Sequence, residues 1–293
     1  MSECLLCPRE CRADREGGAL GFCGADEKIK IARAAPHFWE EPIISGSRGS
    51  GAIFFSGCSL RCVFCQNKRI SHGSLGRVID ERELESIIFR LCDEGVHNIN
   101  FVTPTHYANK LAALLERIKP SLPIPVVWNT SGYEKLETLD MLDGLVDIYL
   151  PDFKYFDPDL GKKYSCAKDY PEIASAAIKK MFSQLGKCEL SDDGMLKRGM
   201  IVRHLVLPGC RKDSIRAVEH LAEILPTDKV YLSLMNQYTP GFAMDCEFSN
   251  LHRRLTSFEY ESVLRRADEL GFSGFSQERC SATSDFTPEF FGG

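Results

Sequence analysis

Cys58, Cys62 and Cys65 fall within eight residues, in the run Gly57-Cys58-Ser59-Leu60-Arg61-Cys62-Val63-Phe64-Cys65-Gln66-Asn67. They directly follow the apolar stretch Ala52 to Phe55. Three thiolates on one loop after a strand suit a single iron–sulfur cluster. A closed cluster takes four protein ligands, and no fourth cysteine follows at short spacing. The simplest reading is a [4Fe–4S] cluster with one iron left open for a ligand that is not protein. A zinc knuckle or chance clustering is the bland alternative.

A second set of cysteines lies upstream: Cys4, Cys7 and Cys11, then Cys23 between Gly21-Phe22 and Gly24. Four soft ligands with glycines around the last suit one metal site, zinc or an auxiliary [4Fe–4S] cluster. The scattered Cys92, Cys166, Cys188, Cys246 and Cys280 read as buried small apolar residues.

The elements that must position these groups alternate in period. Candidate strands cover Ala52–Ser56, Asn98–Thr103, Pro125–Asn129, Val146–Pro151, Met200–Leu207 and Lys229–Met235. Between them, Leu84, Ile87, Ile88 and Leu91 recur at helical spacing, as do Leu111, Leu114, Leu115 and Ile118. Further helices are expected over about 134–142, 171–185 and 214–224. Asp80 with Glu83, and Thr256 with Glu259, have the spacing of capping boxes. Strand–helix alternation implies a parallel sheet with right-handed crossovers. Six units fall short of a closed eightfold barrel, so the expected fold is α/β, a partial (β/α)6 TIM-like barrel. Residues 1–50 read as a Cys-rich extension followed by a wrapping loop, with a short strand at Lys28 to Ala32, and 51–293 as the barrel domain. The turn Asp192-Asp193-Gly194 suggests a hairpin excursion before the fifth strand.

The whole chain has 293 residues and a formal net charge of −5. That balance argues against a dedicated nucleic-acid binder or a polybasic membrane binder. No apolar run approaches membrane-spanning length, and the N-terminus lacks a signal-peptide layout, so a cytoplasmic protein is expected. In a reducing compartment, clustered cysteines point to metal rather than disulfides.

Active sites of such barrels form at the C-terminal strand ends. There the chain carries Thr103-Pro104-Thr105-His106-Tyr107, Asn129-Thr130-Ser131-Gly132-Tyr133, Asp152-Phe153-Lys154, Arg203-His204 and Asn236-Gln237-Tyr238. His37, Glu40 and Glu41, just before the cluster loop, and His106 and Tyr107 are the candidates for catalytic work. A solvated loop is the alternative for the first three.

The cysteine spacing, with aromatic Phe64 before the last thiol, resembles the signature of the radical S-adenosylmethionine (SAM) superfamily. Over about residues 50 to 240 the strand-end loops resemble those of the glycyl-radical-enzyme activases, typified by pyruvate formate-lyase activating enzyme. The resemblance implies that Cys58, Cys62 and Cys65 bind a [4Fe–4S] cluster whose open iron holds SAM. Reductive cleavage would then yield a 5′-deoxyadenosyl radical. It further implies that Phe64, Thr103, Thr105, Asn129, Thr130, Asp152, Lys154, Arg203, Asn236 and Gln237 help seat SAM, Arg203 at its carboxylate. An electron donor such as flavodoxin or ferredoxin would be the partner. The activases carry Gly-Gly-Glu after the second strand, where this chain has Thr103-Pro104-Thr105, and an aspartate where it has Asn129. Three functions stay open: activation of a partner enzyme at a glycine, direct chemistry on a small molecule or peptide, and an electron carrier or scaffold without SAM chemistry. Asp152, Lys154 and Arg203 argue against the third, since a carrier needs no such pocket. A cover over the barrel mouth is expected from the extension and the loops around Tyr107, Tyr155 and Gln237.

Overall fold

The computed structural model describes residues 3–72, 75–276 and 290. Strand β1 (Lys30–His37) runs antiparallel to β2 (Ser50–Phe55), and the short helix α1 (Pro42–Ser45) lies between them. Helix α2 (Lys68–Ser71) follows the cysteine loop, and β3 (Arg77–Val78) pairs with β1. The alternation then runs α3 (Glu81–Asp93), β4 (Ile99–Val102), α4 (Ala108–Ile118), β5 (Val126–Thr130), α5 (Leu136–Asp140) and β6 (Ile148–Pro151). After α6 (Pro158–Ser165) and α7 (Tyr170–Leu185) come β7 (Glu189–Leu190) and β8 (Leu196–Leu205). Helix α8 (Arg211–Ile224), β9 (Tyr231–Met235), α9 (Ser257–Glu269) and β10 (Ser273–Ser276) complete it.

Strands β2, β4, β5, β6, β8, β9 and β10 are parallel neighbours in that order, and the sheet stays open. This is the expected partial barrel, with β10 added at one edge and antiparallel β1 and β3 at the other. The expected hairpin is β7 against β8. Asp80 accepts from the Glu83 N–H, but the Glu83 carboxylate pairs with Arg77 instead of completing the box. Thr256 and Glu259 form the full reciprocal box.

The period of two divides each strand between two cores. Phe101, Val126 and Trp128 pack outward against the helices. Val127, Ile148, Leu150, Leu196 and Ile201 point into the lumen. There they meet Ile44 of α1, which is fully buried. Residues 33–51 are therefore not a surface-wrapping loop. Strand β1 runs through His37, and the segment after it turns inward and closes the barrel floor. Proline and glycine serve its tight turns: Pro42 opens α1, and Gly46, at φ 47°, ends it. A short plug with few periodic positions gives no sequence signal.

The scattered cysteines also differ from expectation. Cys166 is exposed, and Cys92, Cys188 and Cys246 are only partly buried, whereas Cys210 is buried. Cys166 ends α6 in the left-handed region (φ 54°), which turns it out of the core. Cys280 lies outside the described residues. Among the described residues no helix is long and apolar enough to cross a membrane.

Candidate active site

A cavity of about 220 Å³ opens at the C-terminal strand ends, and Cys58, Cys62 and Cys65 all line it. Their loop is held by backbone and hydroxyl contacts. Leu60 N–H points at Cys58 Sγ (3.4 Å), Ser165 Oγ lies 3.0 Å from Cys62 Sγ, and Ser71 Oγ lies 3.5 Å from Cys65 Sγ. Burial pushes the Cys62 thiol up to about 11, and Cys58 higher still, against the pull of Lys154. Raised in this way, Cys58 and Cys62 favour the protonated thiol, and a metal would displace the proton on binding. Soft sulfur donors with hydrogen bonds to the sulfur suit an iron–sulfur cluster. As placed, no three His, Cys, Asp or Glu side chains among the described residues close tightly enough to hold a single ion.

The same cavity is lined by a buried polar cluster centred on Arg203. Arg203 Nε donates to Asp152 Oδ1 (2.9 Å), Nη2 to Asn129 Oδ1 (2.6 Å) and Nη1 to Glu40 Oε2 (3.2 Å). Lys154 Nζ donates to Asp152 Oδ2 at 2.6 Å. Asn100 and Asn129 each donate an amide N–H to Glu40 Oε1. A guanidinium has five N–H groups and an ammonium three. Three and one of these are used here, so both cations retain donors for an anionic ligand. Burial opposes ionisation of Asp152, but Arg203 and Lys154 outweigh it and hold its carboxyl below the ordinary value. Burial opposes the charge on Lys154 too, and Asp152 outweighs that, so its pKa is raised. Burial raises Glu40 and Glu41 more than Arg203 lowers them.

Thr103 ends β4 at φ 58°, a left-handed conformation that a β-branched residue rarely adopts. It lines the cavity, and its N–H donates to the Asn129 carbonyl. Strain of this kind concentrates at functional sites.

The structure sorts the other candidate residues. Phe64, Thr130 and Gln237 line the cavity, as do His37 and Glu40. Thr105 does not: its hydroxyl donates to Glu134 Oε1 at 2.7 Å, which also accepts from Trp128 Nε1 and Thr130 Oγ1. Asn236 and Glu41 are not among the lining residues either. His106 and Tyr107 are buried away from the cavity, under the N-terminal segment, where Arg15 donates to the His106 carbonyl. A catalytic role for these two is not supported, because burial and the Ser56 carbonyl bond hold the His106 ring in the core. Tyr107 and Tyr155 do not line the cavity, and among the described residues none before His37 does. Of the loops expected to cover the mouth, the one at Gln237 lines the cavity, as do Trp39, Thr239 and Phe242, which sequence reasoning passed over. Ser165 and Glu134 were missed as well. The stretch that became α6 was not seen as a helix, and Glu134 was read as the start of one rather than as a buried acceptor.

An open parallel α/β barrel with a three-cysteine loop after its first parallel strand defines the class. A family model, the Radical SAM superfamily, matches residues 52–191. The chain is 31% identical over 281 residues to "Uncharacterized protein MJ0674" of Methanocaldococcus jannaschii, covering 92% of this chain and 75% of that protein. It is 25% identical over 123 residues to the anaerobic ribonucleoside-triphosphate reductase-activating protein of Salmonella typhimurium, covering 38% and 80%. Among solved structures it resembles a radical SAM methyltransferase from Sphaerobacter thermophilus, with a TM-score of 0.52, 14% identity and coverage of 77% and 65%. The chain belongs to the radical SAM superfamily.

Proposed function

We propose that this chain is a radical SAM enzyme that binds a [4Fe–4S] cluster on Cys58, Cys62 and Cys65 and cleaves SAM to initiate hydrogen abstraction from a substrate at the barrel mouth. One observation carries the reading: the three thiols, Lys154 and Arg203 line a single cavity. The bound cluster and SAM would supply the 5′-deoxyadenosyl radical. The chain's own residues bind, orient and exclude water. Arg203 and Lys154 offer the donors left over from Asp152, Asn129 and Glu40 to the SAM carboxylate. Asp152 keeps both cations charged and fixed in a buried setting. Asn129, Thr103 and Thr130 present polar atoms beside them. Phe64, whose ring centroid lies 6.4 Å from that of Tyr238, gives the cluster side an apolar wall. The electron would come from a flavodoxin- or ferredoxin-type donor. In this reading 51–293 is the catalytic unit and 1–50 an accessory segment.

Anaerobically reconstituted protein is expected to hold about four iron and four sulfide at this loop and to release 5′-deoxyadenosine from SAM on reduction. A chain with Cys58→Ala, Cys62→Ala and Cys65→Ala is expected to lose that release entirely. Cleavage retained in the triple variant would end the reading.

A further inference from the structure

The N-terminal segment brings four thiols together at the back of the cluster loop. Cys11 Sγ and Cys23 Sγ each lie 3.3 Å from where a Cβ on Gly21 would stand, so the two thiols flank this glycine closely. Cys7 and Cys23 are buried, and Cys4 lies near both. Arg15 sits among them, 5% exposed, with Nη1 3.7 Å from Cys4 Sγ. Its remaining bonds go to backbone carbonyls, twice to Asp26 and once to His106.

Charge makes this arrangement incomplete as it stands. Arg9 donates only to the carbonyls of Ser59, Ser165 and Cys166, and Arg61 to that of Phe22. Among the described residues no ion pair joins Arg9, Arg15 or Arg61 to a carboxylate, and Arg15 is the buried one of the three. A buried guanidinium without an anion is costly. Four thiolates around a metal supply that anion, because a divalent metal on four thiolates carries a net charge of about −2. The thiols as placed do not close on one ion, but neither do Cys58, Cys62 and Cys65, so the spacing does not set the two groups apart.

We propose that Cys4, Cys7, Cys11 and Cys23 hold a second, tetrathiolate metal centre, with Arg15 as its buried counter-cation. The shared chemistry is an anionic metal–thiolate site, and zinc and an iron–sulfur cluster are its two sources. The centre backs the barrel loop directly: the Cys58 N–H donates to the Cys23 carbonyl at 3.1 Å. It does not depend on SAM binding in the barrel.

The test uses the full chain carrying Cys58→Ser, Cys62→Ser and Cys65→Ser, purified anaerobically from cells supplied with zinc and iron. Metal analysis is expected to find about one zinc, or about four iron with sulfide, per chain. Adding Cys4→Ser and Cys11→Ser should abolish that metal. Adding Arg15→Gln instead, which keeps every thiol, should speed its loss to a chelator by about tenfold or more. No stoichiometric metal in the triple variant, or metal unaffected by loss of Cys4 and Cys11, overturns the proposal. If the triple variant does not fold, the unaltered reconstituted chain decides. Metal beyond the about four iron of the barrel cluster supports the second centre, and about four iron alone refutes it.

Discussion

Arg203 Nη1 donates to Glu40 Oε2 at 3.2 Å across the barrel lumen, although 163 residues separate the two in sequence. Their side chains are only 15% and 10% exposed. Glu40 reaches this position because the segment after β1 turns under the sheet and carries α1 into the floor. Without Glu40, Arg203 keeps Asp152 but loses one acceptor in a largely buried setting. Glu40→Ala is therefore expected to lower stability by about 1–3 kcal/mol, and Glu40→Gln by less, since its amide oxygen still accepts from Arg203. Denaturant unfolding of both variants measures this. Equal, small losses would show that the lumen charge is solvated rather than paired.

Arg203→Ala is expected to weaken SAM binding by about tenfold or more while leaving the cluster in place, because a ligand carboxylate would lose its planar donor. Arg203→Lys should not restore it: a single ammonium cannot reach Asp152, Asn129 and Glu40 together and still serve a ligand. Titration of cluster-loaded protein with SAM is the measurement. Unchanged affinity in Arg203→Ala would remove Arg203 from the SAM site.

Gly57 carries φ +97°, and a Cβ there would stand 2.8 Å from the Cys23 carbonyl and 3.2 Å from His106 Nε2. Gly57→Ala therefore strains the backbone and pushes the cysteine loop off the N-terminal segment. Lower iron incorporation at the barrel loop is expected, with the helical circular dichroism retained. Normal iron loading would show that the loop does not depend on this contact.

His106 and His204 are buried and held neutral, their pKa values lowered to about 4 by burial. Each ring nitrogen that meets a carbonyl, of Ser56 and Phe153 respectively, must carry its proton to donate. On unfolding, each returns toward 6.5. The unfolded chain then binds protons that the folded chain refuses, so stability is complete above 6.5 and falls as pH drops toward 4. One such histidine is worth up to about 3 kcal/mol across that window. Glu40, Glu41 and Glu134, raised by burial, act in the opposite sense. The test is accordingly a difference. Unfolding free energy of the unaltered chain should drop more between about pH 6.5 and pH 4 than that of His204→Asn. Parallel curves would refute the neutral, buried ring.

The sequence by itself determined the scaffold and the cysteine loop that it carries. The cysteine spacing is local, and so is the alternation of strand and helix, because side-chain period reports burial within a few residues. Asp152, Lys154 and Arg203 were legible because strand ends are where such barrels present polar groups. The capping box at Thr256 and Glu259 was legible for the same local reason. Tertiary structure decided the rest. Thr105 and Thr103 look alike in sequence, yet one turns to buried Glu134 and the other lines the cavity. His106 and Tyr107 carry reactive side chains, but the N-terminal segment covers them. Glu40 sits in a stretch with the composition of a surface loop, and only packing of Ile44 against lumen residues from β5, β6 and β8 draws it inside. These outcomes depend on contacts between residues far apart in sequence. Hydrophobic burial and charge pairing select such contacts only once the sheet has assembled around them.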